Sequence, residues 1–214
     1  MPATRSDLMQ RLDQLGIEVQ TVEHAPVYTV AESRALHRQI PGGHTKNLFL
    51  KDARGGLHLV IAHAHTQVDL KALPRTIGSA RLSFGRPELL MEALGVTPGS
   101  VTAFALINDH ARRVAVIVDA TLSTFQSINC HPLENSATTS IARDDLLRFI
   151  RACGHVPRIL YVGAAGSGPQ VPALDDTPGA RSGNASGDST GDPAGRPVLA
   201  DSTASSPTPG AAGQ

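Results

Sequence analysis

Two cysteines, Cys130 and Cys153, are all the chain has, which excludes a disulfide framework and a paired-cysteine metal or redox site. No apolar run is long enough to span a bilayer, and Met1–Gln10 lacks the apolar stretch of a leader. Neither sign of charge is in excess, since 19 Lys+Arg balance 19 Asp+Glu. Tryptophan is absent, and all seven aromatic residues and all nine histidines lie before Ala164. There is no internal repeat and no glycine-rich phosphate fingerprint.

From about Ala164 onward the 214-residue chain is almost entirely Gly, Ala, Ser, Pro, Thr and Asp. That composition buries too little apolar surface to offset chain entropy. Residues 164–214 are therefore expected to be a disordered tail, and residues 1–163 one domain with a real core. The balanced charge conceals a division: residues 1–163 carry 17 Lys+Arg against 14 Asp+Glu, the tail two against five. A mildly basic domain permits an anionic partner without demanding one, and falls short of the basic bias of a large nucleic-acid surface. The expected setting is a soluble cytoplasmic protein.

What the chain does have is a polar segment between structural ones. Ile128–Thr139 reads I-N-C-H-P-L-E-N-S-A-T-T, gathering Asn129, His131, Glu134, Asn135, Thr138 and Thr139 around Pro132. An apolar strand, Arg113–Ala120, precedes it and an amphipathic helix, Arg143–Cys153, follows. Polar loops held by core elements often carry function, although Asn, Pro and Thr are also ordinary turn residues.

In chain order, Ser6–Leu15 reads as a helix capped by Ser6 and stopped by Gly16, and Ile17–Val22 as a weak strand. Thr29 and Glu32 form a capping box opening a helix to about Arg38. Thr45–Lys51 and Leu57–Ala64 read as a hairpin, Val68–Leu73 as a helix ended by Pro74, and Ala80–Phe84 as extended chain. Pro87–Leu94 is a helix with proline in its first turn and Gly95 at its end. Ala103–Asn108 and Val114–Val118 read as a second hairpin, Ser127–His131 and Thr138–Ile141 as short strands, and Arg158–Val162 as a closing strand. Tight turns between strands favour an α+β fold: a mixed, partly antiparallel sheet with helices packed on it.

Strand alternation puts Lys46 on one face with Leu48 and Leu50, so its ammonium either reaches water past a strand end or is aimed into a pocket. Lys51 shares the other face with Asn47 and Phe49. His63 and His65 have metal-ligand spacing but no third ligand nearby. Cys130 and His131, adjacent in a strand, point to opposite faces and make no nucleophile–base pair, and no triad can be assembled. Gly95–Thr102 is a loop whose backbone N–H groups a ligand can approach closely; the same composition also makes a plain connector.

Four pieces in order, H-A-P-V-Y-T-V-A-E-S at His24–Ser33, T-K-N-L-F-L-K-D at Thr45–Asp52, G-V-T-P-G-S-V-T at Gly95–Thr102 and H-P-L-E-N-S-A-T-T at His131–Thr139, resemble one family. It is the YbaK-like, prolyl-tRNA-synthetase-associated editing family, in particular its freestanding deacylases that remove alanine from mischarged tRNA(Pro). The resemblance spans roughly Ser6–Gly163 and leaves the tail unmatched. It implies a mixed sheet curving toward a barrel, with surrounding helices, no metal and no cofactor. It places the family's essential lysine on Lys46 and its histidine on His131, as catalytic residues. Gly99, Ser100, Val101, Thr102 and Asn135 fall on substrate-binding positions, and Lys51 and Arg81 on contacts to the tRNA acceptor end. The family's Gly-x-x-x-Pro loop here ends in Ala103, which removes a fixed φ. The implied partners are tRNA(Pro) and prolyl-tRNA synthetase, for a monomer without membrane association. Editing of a Cys- or Ser-mischarged tRNA, a non-catalytic module binding tRNA ends or small molecules, and a hydrolase with a metal on His63 and His65 are the alternatives.

Overall fold

A single eight-stranded sheet runs through the described residues, 1–26 and 38–164, of the computed structural model. The helix expected to open at Thr29 and the tail beyond Ala164 lie outside those residues. The strands are β1 (Val19–Glu23), β2 (Gly43–Asp52), β3 (Leu57–His63), β4 (Leu82–Phe84), β5 (Val114–Asp119), β6 (Ser127–Cys130), β7 (Ala137–Ala142) and β8 (Arg158–Leu160). They lie in the order β1-β7-β6-β2-β3-β5-β8, with β4 on β2; the sheet is mixed, as expected for an α+β fold, and its strand order is open.

Alternation along the central strands builds two cores. Leu57, Leu59 and Ile61 of β3 and Val114, Val116 and Val118 of β5 face a larger cluster. Val60, Ala62 and Ile117 face a smaller one on the other side. Over the larger core lie α1 (Arg5–Gln14), α3 (Pro87–Leu94) and α4 (Arg143–Ala152), contributing Leu8, Leu12, Leu90, Leu94, Leu146, Phe149 and Ile150. Over the smaller lies α2 (Leu73–Ile77), contributing Leu73 and Ile77.

Several local expectations hold in detail. The helix α3 has proline in its first turn and Gly95 in the left-handed conformation at its end. The β2–β3 hairpin pairs Thr45–Lys51 with Leu57–His63. Its turn is fixed by Asp52, whose Oδ1 accepts from the N–H groups of Arg54 at 2.8 Å and Gly56 at 2.9 Å.

Others are corrected. The cap of α1 is Thr4, not Ser6, in a reciprocal box with Asp7. Pro74 opens α2 instead of ending a helix before it, because the first turn needs no N–H from proline. Ala103–Asn108 is a 3-10 helix and not a strand. Ala103 to Leu106 are all buried, and a short continuous apolar run carries no period that separates helix from strand. Consequently β5 is no hairpin partner of that segment and instead pairs in parallel with β3 and β8.

Phe104 and Phe149 are both fully buried, ring centroids 5.4 Å apart, edge to face, tying the 3-10 helix to α4. Phe149→Ala is expected to cost about 3–5 kcal/mol. The check is chemical denaturation of variant and wild type, with an unchanged midpoint counting against this packing.

Candidate active site

The outer edge of β2 is divided between two partners. At its start Gly43 and His44 pair in parallel with Ile128 and Asn129 of β6. At its end Leu50, Lys51 and Asp52 pair antiparallel with β4. The stretch between is bracketed by the Thr45 hydroxyl, donating to the Asn129 carbonyl at 2.8 Å, and the Gly85 N–H, donating to the Phe49 carbonyl at 2.9 Å. The His44 carbonyl accepts from Ala64 on the β3 side, so alternation turns the backbone of Asn47 outward into the open interval. Gly85 is obligatory at the far bracket, since a Cβ there would lie 2.4 Å from the Phe49 ring.

Lys46 stands at this interval, half-buried, on the face of the smaller core, where Leu50 is buried and Leu48 packs beside it. Burial lowers its pKa from the ordinary lysine value, and the Asp119 carboxylate partly opposes that shift. Among the described residues its ammonium has no hydrogen bond and no ion pair within 4.0 Å. Asp119 is itself fully buried and held by the N–H groups of His63 at 3.2 Å and Thr121 at 3.0 Å and by the Thr66 hydroxyl. Asn47, on the opposite face, donates weakly to the Thr45 hydroxyl at 3.4 Å, and its Oδ1 has no hydrogen-bond partner among the described residues.

The β2–β6 pairing stops at His44 and Asn129, and Lys46 and His131 each lie two residues beyond it, His131 following the last residue of β6. His131 Nδ1 lies 3.2 Å from the Ala137 carbonyl. A carbonyl only accepts, so Nδ1 carries the proton and Nε2 presents a lone pair. Burial lowers the His131 pKa, with the neighbouring His24 adding to the shift, so the ring is neutral near pH 7. The loop beyond turns tightly: Leu133 N–H donates back to the His131 carbonyl at 3.0 Å, and Leu133 sits at φ 70°, a left-handed conformation uncommon outside glycine.

The Gly95–Thr102 loop reaches the same loop from the other side. Gly99, at φ 92°, faces Asn135, and a Cβ there would lie at ordinary contact distance, 3.7 Å, from its Nδ2. Val101 packs against the larger core. Ser100 N–H is committed to the Thr97 carbonyl at 3.0 Å, and the buried Thr102 hydroxyl accepts from Phe104 N–H at 3.3 Å to cap the 3-10 helix. Gly99 and Asn135 are thus brought together, and Ser100 and Thr102 have structural duties inside the loop.

Lys51 and Arg81 are exposed at the other end of β2. Lys51 pairs with Ser83, and Ala53 N–H donates to the Arg81 carbonyl at 3.0 Å, so both side chains share the face opposite Lys46. Of the two histidines of the H-x-H spacing only His63 lies in a strand, since β3 ends there and His65 lies in a turn, yet their rings stand edge to face with centroids 5.3 Å apart. Among the described residues no group of three or more His, Cys, Asp or Glu is placed to hold a metal ion. Burial pushes the Cys130 thiol up to about 12 and Cys153 to about 11, which leaves neither a nucleophile near neutral pH. Asn129 is buried as a brace: it donates to the Pro41 carbonyl at 3.0 Å and accepts from the Ser140 hydroxyl. Asp119 and Asn47 were not singled out by sequence. An acid closing the apolar strand V-A-V-I-V-D was the available signal for the first, and nothing local marked the second.

With this geometry in hand, similarity to known proteins is informative. The sequence profile of the aminoacyl-tRNA editing domain matches residues 24–149. The chain is 37% identical over 149 residues, 69% of this chain and 91% of the other, to a prolyl-tRNA editing protein ProX of Acetoanaerobium sticklandii. It is 39% identical over 158 residues, 73% of this chain and 86% of the other, to prolyl-tRNA synthetase associated domain-containing protein 1 of Danio rerio. A solved structure described as a candidate trans-editing enzyme for prolyl tRNA synthetase shares the fold, at TM-score 0.58 and 19% identity, over 75% of this chain and 99% of the other.

The His63 ring, stacked on Phe125 with centroids 5.0 Å apart, gives a pH test. Burial, with His65, His44 and Lys46 nearby, lowers its pKa to about 4 despite Asp119. Unfolded, it titrates near ~6.5. Between these values the unfolded chain binds the extra proton, so this residue's contribution is intact above ~6.5 and erodes as pH falls toward about 4. His63→Gln is expected to give a shallower loss of unfolding midpoint across that window, read by circular dichroism at stepped pH. An identical slope in the two proteins would contradict it.

Proposed function

Because the chain belongs to the aminoacyl-tRNA editing domain family, we propose that it is a deacylase of mischarged tRNA(Pro) and that alanine is the amino acid it removes. Its reaction class is hydrolysis of the aminoacyl-tRNA ester. The observation that carries the reading is the Lys46 ammonium: a half-buried cation at an open strand edge, without an ion-pair partner among the described residues, is prepared for an anionic ligand.

In this reading Lys46 holds the terminal phosphate or ribose of the tRNA. Water attacks the ester carbonyl carbon, the ester C–O bond breaks, and the proton ends on the departing ribose oxygen. Neutral His131, with its Nε2 lone pair free of Ala137, orients the attacking water or a ribose hydroxyl. Backbone N–H groups of Gly99 and Val101 stabilise the oxyanion, since that of Ser100 is used within its own turn. Asn135 shapes the pocket wall beside Gly99. No protein nucleophile takes part. The purpose is a second sieve, because a proline site cannot strongly exclude a smaller amino acid. Prolyl-tRNA synthetase, which makes the error, is the functional partner.

A panel of aminoacyl-tRNAs tests this directly. Faster release from Ala-tRNA(Pro) than from Cys- or Ser-charged tRNAs supports it, a reversed order moves the substrate, and no hydrolysis leaves a binding module. Lys46→Ala is expected to lower single-turnover alanine release by on the order of 10²–10³-fold with the unfolding midpoint preserved, and Lys46→Arg to recover only part of that loss. Near-normal turnover in a destabilised variant would return Lys46 to a structural role.

Lys51 and Arg81 are proposed to meet backbone phosphates of the acceptor stem. Each replaced by alanine is expected to weaken tRNA binding and flatten its salt dependence, through the loss of released counterions. Affinity and slope equal to wild type would remove both from the interface.

A further inference from the structure

Resting on that tRNA reading, we infer that Phe84 is a stacking platform for an unpaired base of the acceptor end. Phe84 is 62% exposed, the most exposed aromatic among the described residues. It lies on β4, an edge strand that pairs only with β2 among the described residues. A large apolar side chain on an open sheet edge is a liability that edge strands ordinarily avoid with charge. Here the ring is exposed on a backbone that is itself held in place. The next residue, Gly85, is pressed against the Phe49 ring and bonded to the Phe49 carbonyl, which fixes the backbone that presents the ring.

Register places this ring relative to the site. Phe84 pairs with Leu50, and Leu82, two residues earlier, faces the smaller core. Phe84 therefore lies on the same face of the sheet as Leu50, Leu48 and Lys46. Lys46 and Leu50 are four residues apart along β2, about 13 Å. That span suits a few unpaired nucleotides leading away from a terminal residue held at Lys46. On the other face of the same edge, Lys51 and Arg81 offer two exposed cations. On the ring's own face the cation is Lys46, and an aromatic ring in line with a cation is the combination that single-stranded nucleic acid uses, bases stacking and phosphates paired. Every base has a π-face, so this contact would add affinity and position the end without reading its sequence.

The test uses the full chain and two uncharged tRNA(Pro) transcripts, one intact and one lacking its unpaired 3′ nucleotides, with dissociation constants measured at several salt concentrations. Phe84→Ala and Phe84→Leu are expected to weaken binding of the intact transcript on the order of fivefold to a hundredfold, with the salt slope unchanged. Phe84→Trp should bind at least as well as wild type, and none of the three should change binding of the shortened transcript. Because the ring is exposed, unfolding midpoints should match wild type, so a loss cannot be ascribed to folding. Unchanged affinity in Phe84→Ala, an equal loss on both transcripts, or a leucine variant that binds like wild type would overturn the inference. Failure of the deacylase reading shows separately, as a wild type that binds the intact transcript but hydrolyses no charged one.

Discussion

The candidate site depends on the hydrogen-bonding edge of one strand. A backbone edge can be paired only once, and on β2 it is taken at the start by a parallel neighbour and at the end by an antiparallel one. Their directions conflict, so the edge between them is left to smaller groups and to whatever enters. The opposite edge is secured by seven residue pairs with β3, which keeps the interval rigid as well as open. Alternation does the rest: Lys46 is delivered to one face, Asn47 to the other, and the Asn47 backbone into the opening.

Most buried carboxylates and amides of the fold are completed by neighbouring groups, although His58 Nδ1 and His155 Nε2 also lack a hydrogen-bond partner among the described residues. Asp109, buried, accepts from Arg113 and Val114 N–H groups at 3.1 and 2.8 Å. Asp52, Asp119 and Asn129 are likewise held in place by several hydrogen bonds. At the interval the pattern breaks, with a half-buried ammonium and a buried carboxamide oxygen that the described residues do not complete. Buried polar groups left incomplete are costly in isolation, which is consistent with the proposal that the interval takes a ligand.

Much of this was legible in sequence where the signal is local. Proline and glycine at the two ends of α3 fixed its limits, and alternation identified the face on which Lys46 stands. The motif order tied Lys46, Gly99 and His131 together before any geometry was known. Illegible parts depend on neighbours. Ala103–Leu106 is apolar throughout, so only its packing decides between helix and strand, and the parallel pairing of β5 followed from that decision. Pro74 is a stop or a start depending on which residues continue the turn. Asn47 looks like any strand asparagine, because being unpartnered is a property of its surroundings and not of its sequence.

The seam between β2 and β6 also sets the order in which the molecule can become competent. It consists of two residue pairs whose members are 85 positions apart in the chain, whereas the β2–β3 hairpin closes across a turn. Such distant, sparse pairing pays its loop-closure entropy late and returns little until everything else is in place. The half of the candidate site carried by the hairpin is therefore expected to form before the half carried by His131, so that a partly assembled chain would present the cation without its imidazole. On the roles proposed for these two residues, hydrolysis would wait for the finished fold.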